Sequence, residues 1–292
     1  MKTTAAHNGL VLLYHSVGPA ALPDSIHHVD TKVLDQHLSE VGLFFTFVSL
    51  EEYANRKDRA GLCAVTFDDG YRNVMEHAVP VLERHGIQGT MFLNAVTLEG
   101  NWNWRDKVRA IMLHDQVDAF YRYLDIKQTN QRFYRYSKTR EVNSADLDRQ
   151  MDAFIAAHDV DVRSVYGGYP YLTARDLLGT LPLSIGNHSA SHYLLASLQI
   201  DQQQREITLG HRALTSLPLE VSPCFSVPFG GTRDINEHTF PLLREAGYGS
   251  VLMSRQELQS GNTVSSGLQV LERFMPRSND ICSEILAALS RS

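Results

Sequence analysis

Short runs of uninterrupted apolar residues alternate along this chain with longer stretches whose apolar positions recur at helical spacing. "GLVLLYHSV" (9–17), "LCAVTF" (62–67) and "GTMFLN" (89–94) have the near-continuous hydrophobicity of strands buried on both faces. Between them, "LDQHLSEVGLFF" (34–45) and "LEEYANRKD" read as helices, with "FTFVSL" a short strand. "YRNVMEHAVPVLERHG" (71–86) is an amphipathic helix that Gly86 stops and Pro80 kinks or divides. The rhythm resumes with a strand in "LPLSIGNH" (181–188), a helix in "DQQQREITLGHRALTSL" (201–217) and a strand and turn in "CFSVPFGG" (224–231). A helix in "HTFPLLREAGY", a strand in "GSVLMS" and a capped terminal helix in "SNDICSEILAALSRS" complete it. Strand–helix alternation with short connections predicts an α/β fold built on a mostly parallel sheet or barrel. In such folds the chemistry sits at the carboxyl ends of the strands.

Residues 100–178 break this alternation. "WNWRDKVRAIMLHDQVDAFYRYL", "RFYRYSKTR" and "SADLDRQMDAFIAAHDVD" are helical and polar, with a new helix start at Ser144. About 75 residues with few apolar runs make a small core, so this stretch reads as a helical insertion or lid in one domain spanning 1–292. No internal repeat or low-complexity tract is present.

Composition narrows the picture by exclusion. The chain has 292 residues, 43% of them hydrophobic, and a formal net charge of -6, so it lacks the basic excess that a nucleic-acid partner demands. Cys63, Cys224 and Cys282 are too few and too scattered for a disulfide framework or a cysteine zinc cluster. The N-terminal apolar stretch "LVLLY" is too short for a signal-peptide core, and no run is long enough to span a bilayer. These features predict a soluble, cytoplasmic protein.

The candidate chemistry falls at two strand ends. "AVTFDDG" places Asp68 and Asp69 side by side after a buried strand, although adjacent carboxylates repel and prefer water. "GNHSASHYLL" carries His188 and His192, whose four-residue spacing predicts two imidazoles on one face of a helical turn. Two histidines and one aspartate from the other strand end would give three protein ligands and leave a position open, as in a catalytic metal site. Taken singly, the histidines read as unrelated surface residues and Asp69 as a helix cap.

"TFDDG" and "GNHSASH" resemble the first two motifs of the polysaccharide deacetylase family (carbohydrate esterase family four, the NodB-like homology domain). "VPFGG" (227–231) resembles the end of that family's Arg-x-Pro-Tyr-Gly motif. The resemblance runs from about residue 10 to 275. It implies a distorted (β/α)7 barrel and metal-dependent hydrolysis of an N-acyl group, most commonly N-acetyl, on an amino sugar. By position it makes Asp69, His188 and His192 the metal ligands and Asp68 the general base. The cofactor is then a divalent ion, Zn first, with Co, Ni or Fe compatible with the same donors. A backbone N–H near Phe229 would stabilise the oxyanion.

Two departures from the family pattern stand out. Its motif arginine falls at Ser226, which leaves the usual partner of the base missing unless Arg233 reaches the same place. Its last motif supplies a histidine as general acid, and the corresponding "VLERFMPR" has none. His15, at the end of "LLYHS", becomes the candidate acid, against an equal expectation that it only bonds a backbone carbonyl. His27 and His28 read as solvent-exposed or as the rim of the site. Trp104, Arg105 and Arg273 are the candidate substrate contacts, since aromatic faces beside an arginine suit a sugar with a phosphate or carboxylate. Trp102 and Trp104 read equally as anchors of the insertion, as do Tyr166, Tyr169 and Tyr171. The expected partner is an amino-sugar-containing molecule, with a nucleotide- or lipid-linked intermediate of surface-polysaccharide assembly as one form. Hydrolysis of a small non-sugar amide and metal-dependent glycan binding without turnover are the alternatives.

Overall fold

Seven strands lie side by side and parallel in the computed structural model, which describes residues 1–19, 26–126, 132–178 and 182–289. In spatial order they are Leu10–Tyr14, Leu62–Phe67, Thr90–Leu93, Ser184–Asn187, Val221–Ser226, Ser250–Leu252 and Leu268–Leu271. A short strand Thr263–Ser265 pairs antiparallel to the last of these, and Thr46–Phe47 adds to the second. The first strand meets the far end of the sheet through a parallel bridge between Leu12 and Phe274, where Leu13 N–H donates to the Phe274 carbonyl at 2.9 Å and Phe274 N–H to Val11 at 2.8 Å. The sheet therefore curls onto itself as a deformed barrel, and all five residues of Leu10–Tyr14 are buried, as their unbroken hydrophobicity requires.

Helices cover the outside. Thr31–Gly42 starts at Asp30, whose carboxylate accepts from Lys32 N–H, and buries Leu34, Leu38 and Val41 at the spacing the sequence shows. The segment after Tyr71 divides at Pro80: a π-helical turn Val74–Ala78 leads into Val79–Arg84. Pro80 has no N–H to donate, and the wider turn absorbs the lost bond.

The chain between Thr90–Leu93 and Ser184–Asn187, adjacent strands in the sheet, holds the helical segment. Its longer helices are Trp104–Leu113 and Ser144–Ala157, the second capped by Asn143. Trp104, Val108, Phe120, Phe154 and Val165 are buried in the same apolar cluster as Leu12, Phe67 and Met91 of the barrel. The aromatic residues at its base serve one another: Trp102 stacks 6.4 Å from Tyr166 and meets Tyr169 edge-on at 5.4 Å. No helix among the described residues is long and apolar enough to cross a membrane.

Candidate active site

Asp68 still belongs to the sheet, since its N–H donates to the Tyr14 carbonyl at 3.0 Å. Asp69 and Gly70 then take φ of 71° and 76°, so two left-handed residues in succession turn the chain away. Glycine is required at the second: a Cβ on Gly70 would lie 2.6 Å from Leu93 Cδ2. Asp69 has no such exemption, and its conformation is the strained kind that accumulates at functional sites. Ser189 (68°), His192 (59°) and Phe229 (64°) share it, and the last two line the same cavity as Asp69.

His188 and His192 do not lie on a helical turn. His188 ends its strand, with its N–H on the Leu93 carbonyl at 2.9 Å, and the chain to His192 is an irregular loop containing two left-handed residues. Polar contacts fix that loop. His192 N–H donates to Ser189 Oγ at 3.0 Å, Ser191 N–H to Glu206 Oε2 at 2.7 Å, and Trp104 Nε1–H to the His192 carbonyl at 2.8 Å. The four-residue spacing thus delivers both rings to one point by a route other than helix geometry.

That point is Asp69. Its Oδ1 is 3.3 Å from His192 Nε2 and 3.6 Å from His188 Nε2, and the three ligand atoms lie within 4.8 Å of one another. Asp69 Oδ1 is buried with no hydrogen-bond partner, an expensive state for a carboxylate oxygen. His188 Nδ1–H donates to the Ser226 carbonyl at 2.8 Å, so its Nε2 presents a lone pair. Burial lowers the pKa of both histidines, for His192 with the help of His188, and so favours the neutral form a metal needs. Burial, then Asp68, pushes the Asp69 carboxyl up to about 7. Tetrahedral ligands at roughly 2.1 Å from a zinc ion would be about 3.4 Å apart. The donor set and its spacing fit a divalent cation.

Asp68 is the opposite case. Burial disfavours its charge, but the Arg273 guanidinium, then His188, outweigh that and hold it well below the usual carboxylate range. Arg273 Nη1 and Nη2 reach Asp68 Oδ1 and Oδ2 at 2.8 Å each, a bidentate pair, and Nε donates to the Met253 carbonyl at 3.1 Å. Ser226 Oγ lies 3.1 Å from both carboxylate oxygens and accepts from Arg273 Nη2 at 2.9 Å. The missing motif arginine is therefore replaced by one that follows the strand two places along the sheet from that of Ser226. Arg233 is exposed on a turn and does not contact the base.

A cavity of about 310 Å³ opens over these groups. His15, Asp68, Asp69, His188, His192, Phe229 and Arg105 all line it. His15 Nδ1 is buried without a partner, its ring is 5.0 Å from that of His27, and burial, then His27, lowers its pKa well below the usual value. Two expected substrate contacts are placed elsewhere. Trp104 is buried behind His192, and Arg273 is fully buried and committed to Asp68. His28 turns away from the cavity to bond Ser16 Oγ and the Gly18 carbonyl. Tyr134, Lys138, Asp234 and Arg277 line the wall without having been singled out individually in the sequence; only the aromatic-basic "RFYRYSKTR" pointed to the first two.

The polysaccharide deacetylase family profile matches residues 55–251. No curated protein is similar in sequence at a significant level. Among solved structures, IcaB from Ammonifex degensii is similar over 98% of each chain, with a TM-score of 0.56 and 18% identity. The Streptococcus pyogenes deacetylase PplD, solved with acetate, has a TM-score of 0.55 at 14% identity, over 96% of this chain and 97% of that one. A de-N-acetylase from Aggregatibacter actinomycetemcomitans has a TM-score of 0.55 at 11% identity, over 95% of this chain and all of that one. These likenesses share the deformed barrel, and the profile match covers both the Asp68–Asp69 turn and the His188–His192 loop, so the chain belongs to the polysaccharide deacetylase family.

Proposed function

We propose that the protein is a metal-dependent hydrolase that removes an N-acetyl group from an amino sugar. The observation that carries this reading is the convergence of Asp69 Oδ1, His188 Nε2 and His192 Nε2 beside a carboxylate fixed by Arg273. A divalent cation held by those three residues would supply Lewis acidity toward the amide oxygen and the attacking water, whose pKa such ions lower toward about 7.

The chain's own residues do the rest. Asp68 accepts the proton of the attacking water; with Arg273 and Ser226 on its oxygens it stays ionised and aimed across the pH range of use. Phe229, held in a left-handed turn on the cavity wall beside His192, would offer its backbone N–H to the developing oxyanion. Burial keeps the resting His15 imidazole neutral, so the proton it would carry to the departing amine as the C–N bond breaks is the one Asp68 has taken from the water, which returns both side chains to their starting state. Acetate and the free amino sugar are the products.

Asp68→Asn tests this directly. The expected result is loss of acetate release by at least about 10²-fold with metal content unchanged, the contribution typical of a general base. Unchanged turnover would reject Asp68 as the base. His15→Ala should cost a similar factor without affecting metal content.

A further inference from the structure

The cavity wall contributed by the helical segment carries more positive charge than the groups around it neutralise. Arg105 is the clearest case. It is 2% exposed, and its guanidinium bonds only neutral oxygens, Ser137 Oγ at 2.7 Å and the Tyr134 carbonyl at 3.1 Å. Its Nε has no hydrogen-bond partner, and no carboxylate lies within 4 Å of it among the described residues. The guanidinium is sandwiched by rings, 4.1 Å from the Tyr134 centroid, 4.8 Å from Trp104 and 5.8 Å from Phe229. A buried cation without an anion is costly, and cation–π contacts recover only part of that cost.

Lys138 and Arg277 line the same cavity. The Lys138 ammonium sits 5.5 Å from the centroids of both Tyr134 and Phe229, and Phe229 in turn packs 4.8 Å from His192. The other charges are already matched: Arg273 to Asp68, and Arg109 to Asp106 at 2.8 Å. Asp69 would be taken up by the cation. Asp234 faces Lys138 and the Glu284 carboxylate accepts the Arg277 backbone N–H at 2.8 Å, whereas Arg105 feels only the more distant Asp106, which is already bonded to Arg109. Two neighbours register the excess. The Tyr134 phenol is held below its ordinary value because Arg105 and Arg109 outweigh its burial. The His27 imidazolium is disfavoured by desolvation and then by Arg109, Lys138 and Arg277.

Resting on the deacetylase reading, we propose that Arg105, Lys138 and Arg277 form an oxyanion subsite, so that the sugar accepted here carries a fixed negative charge beside the ring that loses its acetyl group. The shared chemistry is a phosphate ester or a carboxylate, bound by charge and by the planar donors of two arginines. The ring of Phe229 lies between Lys138 and the metal ligand His192, where a sugar ring would stack.

The test is calorimetric binding of N-acetylglucosamine, its 1-phosphate, its 6-phosphate and the corresponding uronic acid, to metal-loaded and chelator-treated protein. The expected result is that at least one charged sugar binds ten-fold or more tightly than the neutral one in both metal states, and that the preference weakens with salt. Preference for the phosphates identifies a phosphate ester; preference for the uronate identifies a carboxylate. In Lys138→Met and Arg277→Gln, both exposed positions, the ratio of charged-sugar to neutral-sugar affinity should fall several-fold. Equal binding of neutral and charged sugars overturns the subsite, as does a preference that survives both substitutions or vanishes on chelation. Acetate release is measured separately. Turnover without charge preference leaves deacetylation standing and removes the subsite. Charge preference without turnover on any sugar does the reverse.

Discussion

Asp68 is almost wholly buried at the floor of the cavity, and its charge rests on one guanidinium and one hydroxyl. Removing a single partner of such a pair leaves an uncompensated buried ion, which costs about 3–5 kcal/mol. Arg273→Met should therefore lower the unfolding free energy by that order, read from urea titrations. The loss should be largest near neutral pH and smaller in acid. With Arg273 present the carboxyl is depressed, so its stabilisation is complete above the unfolded value of about 3.9 and is lost only as pH falls through the lower folded value. Without Arg273, burial raises the carboxyl instead, and acid relieves the strain by protonating it. An Asp68→Asn, Arg273→Met double variant should recover most of the loss; if it does not, the ion pair is not its cause. This pairing could not be read from the sequence. Asp68 and Arg273 are 205 residues apart and meet only because the barrel closes. Asp69, His188 and His192 were legible because each sits in a short motif beside a buried strand.

At the scale of elements, the helix Ile200–Thr215 does more than cover the barrel. Its Glu206 carboxylate receives Ser191 N–H and its backbone carbonyl receives Ala190 N–H, so the helix pins the loop that carries both histidines. Burial pushes this carboxyl up to about 7 against the opposing hydrogen bonds of Ser191 and Ser189. A raised folded value means the native state binds the extra proton between roughly 4.5 and 7. Stability from this group is therefore greatest in acid and declines as pH rises through 7, by up to about 3 kcal/mol. Glu206→Gln keeps an acceptor for Ser191 but cannot ionise. Its unfolding free energy should fall less than the parent's between pH 5 and 8; a parallel profile would show that Glu206 does not titrate in that range. Alternating apolar runs were enough to locate the strands on either side of this loop. The loop itself was misread as a helical turn because the i, i+4 spacing of two histidines does not reveal the left-handed Ser189 and His192 that break it. Trp104 was misplaced for a related reason: an aromatic beside an arginine looks the same whether it faces a ligand or, as here, holds a carbonyl.

Across the whole molecule, the site exists only in the folded barrel. Asp69 follows the second strand of the sheet, and the histidines follow the fourth. The unfolded chain has no preformed site of this kind, so metal affinity is folding free energy. At a free concentration 100 times its dissociation constant, a bound ion adds about 2.7 kcal/mol. For a chain of this size that is roughly 4 °C in thermal midpoint. Titrating zinc into chelator-treated protein should raise the midpoint with concentration and leave about one equivalent bound after dialysis. Asp69→Ala, His188→Ala and His192→Ala should each abolish both effects, whereas Asp68→Asn should retain them, because Asp68 is tied to Arg273 and is not among the three converging donors. A shift that persists in all three alanine variants would place the ion elsewhere and remove the basis for metal-dependent hydrolysis. The same titration with cobalt, nickel and iron(II) ranks the ions by the stability each confers, which tests zinc as the preferred occupant without relying on turnover.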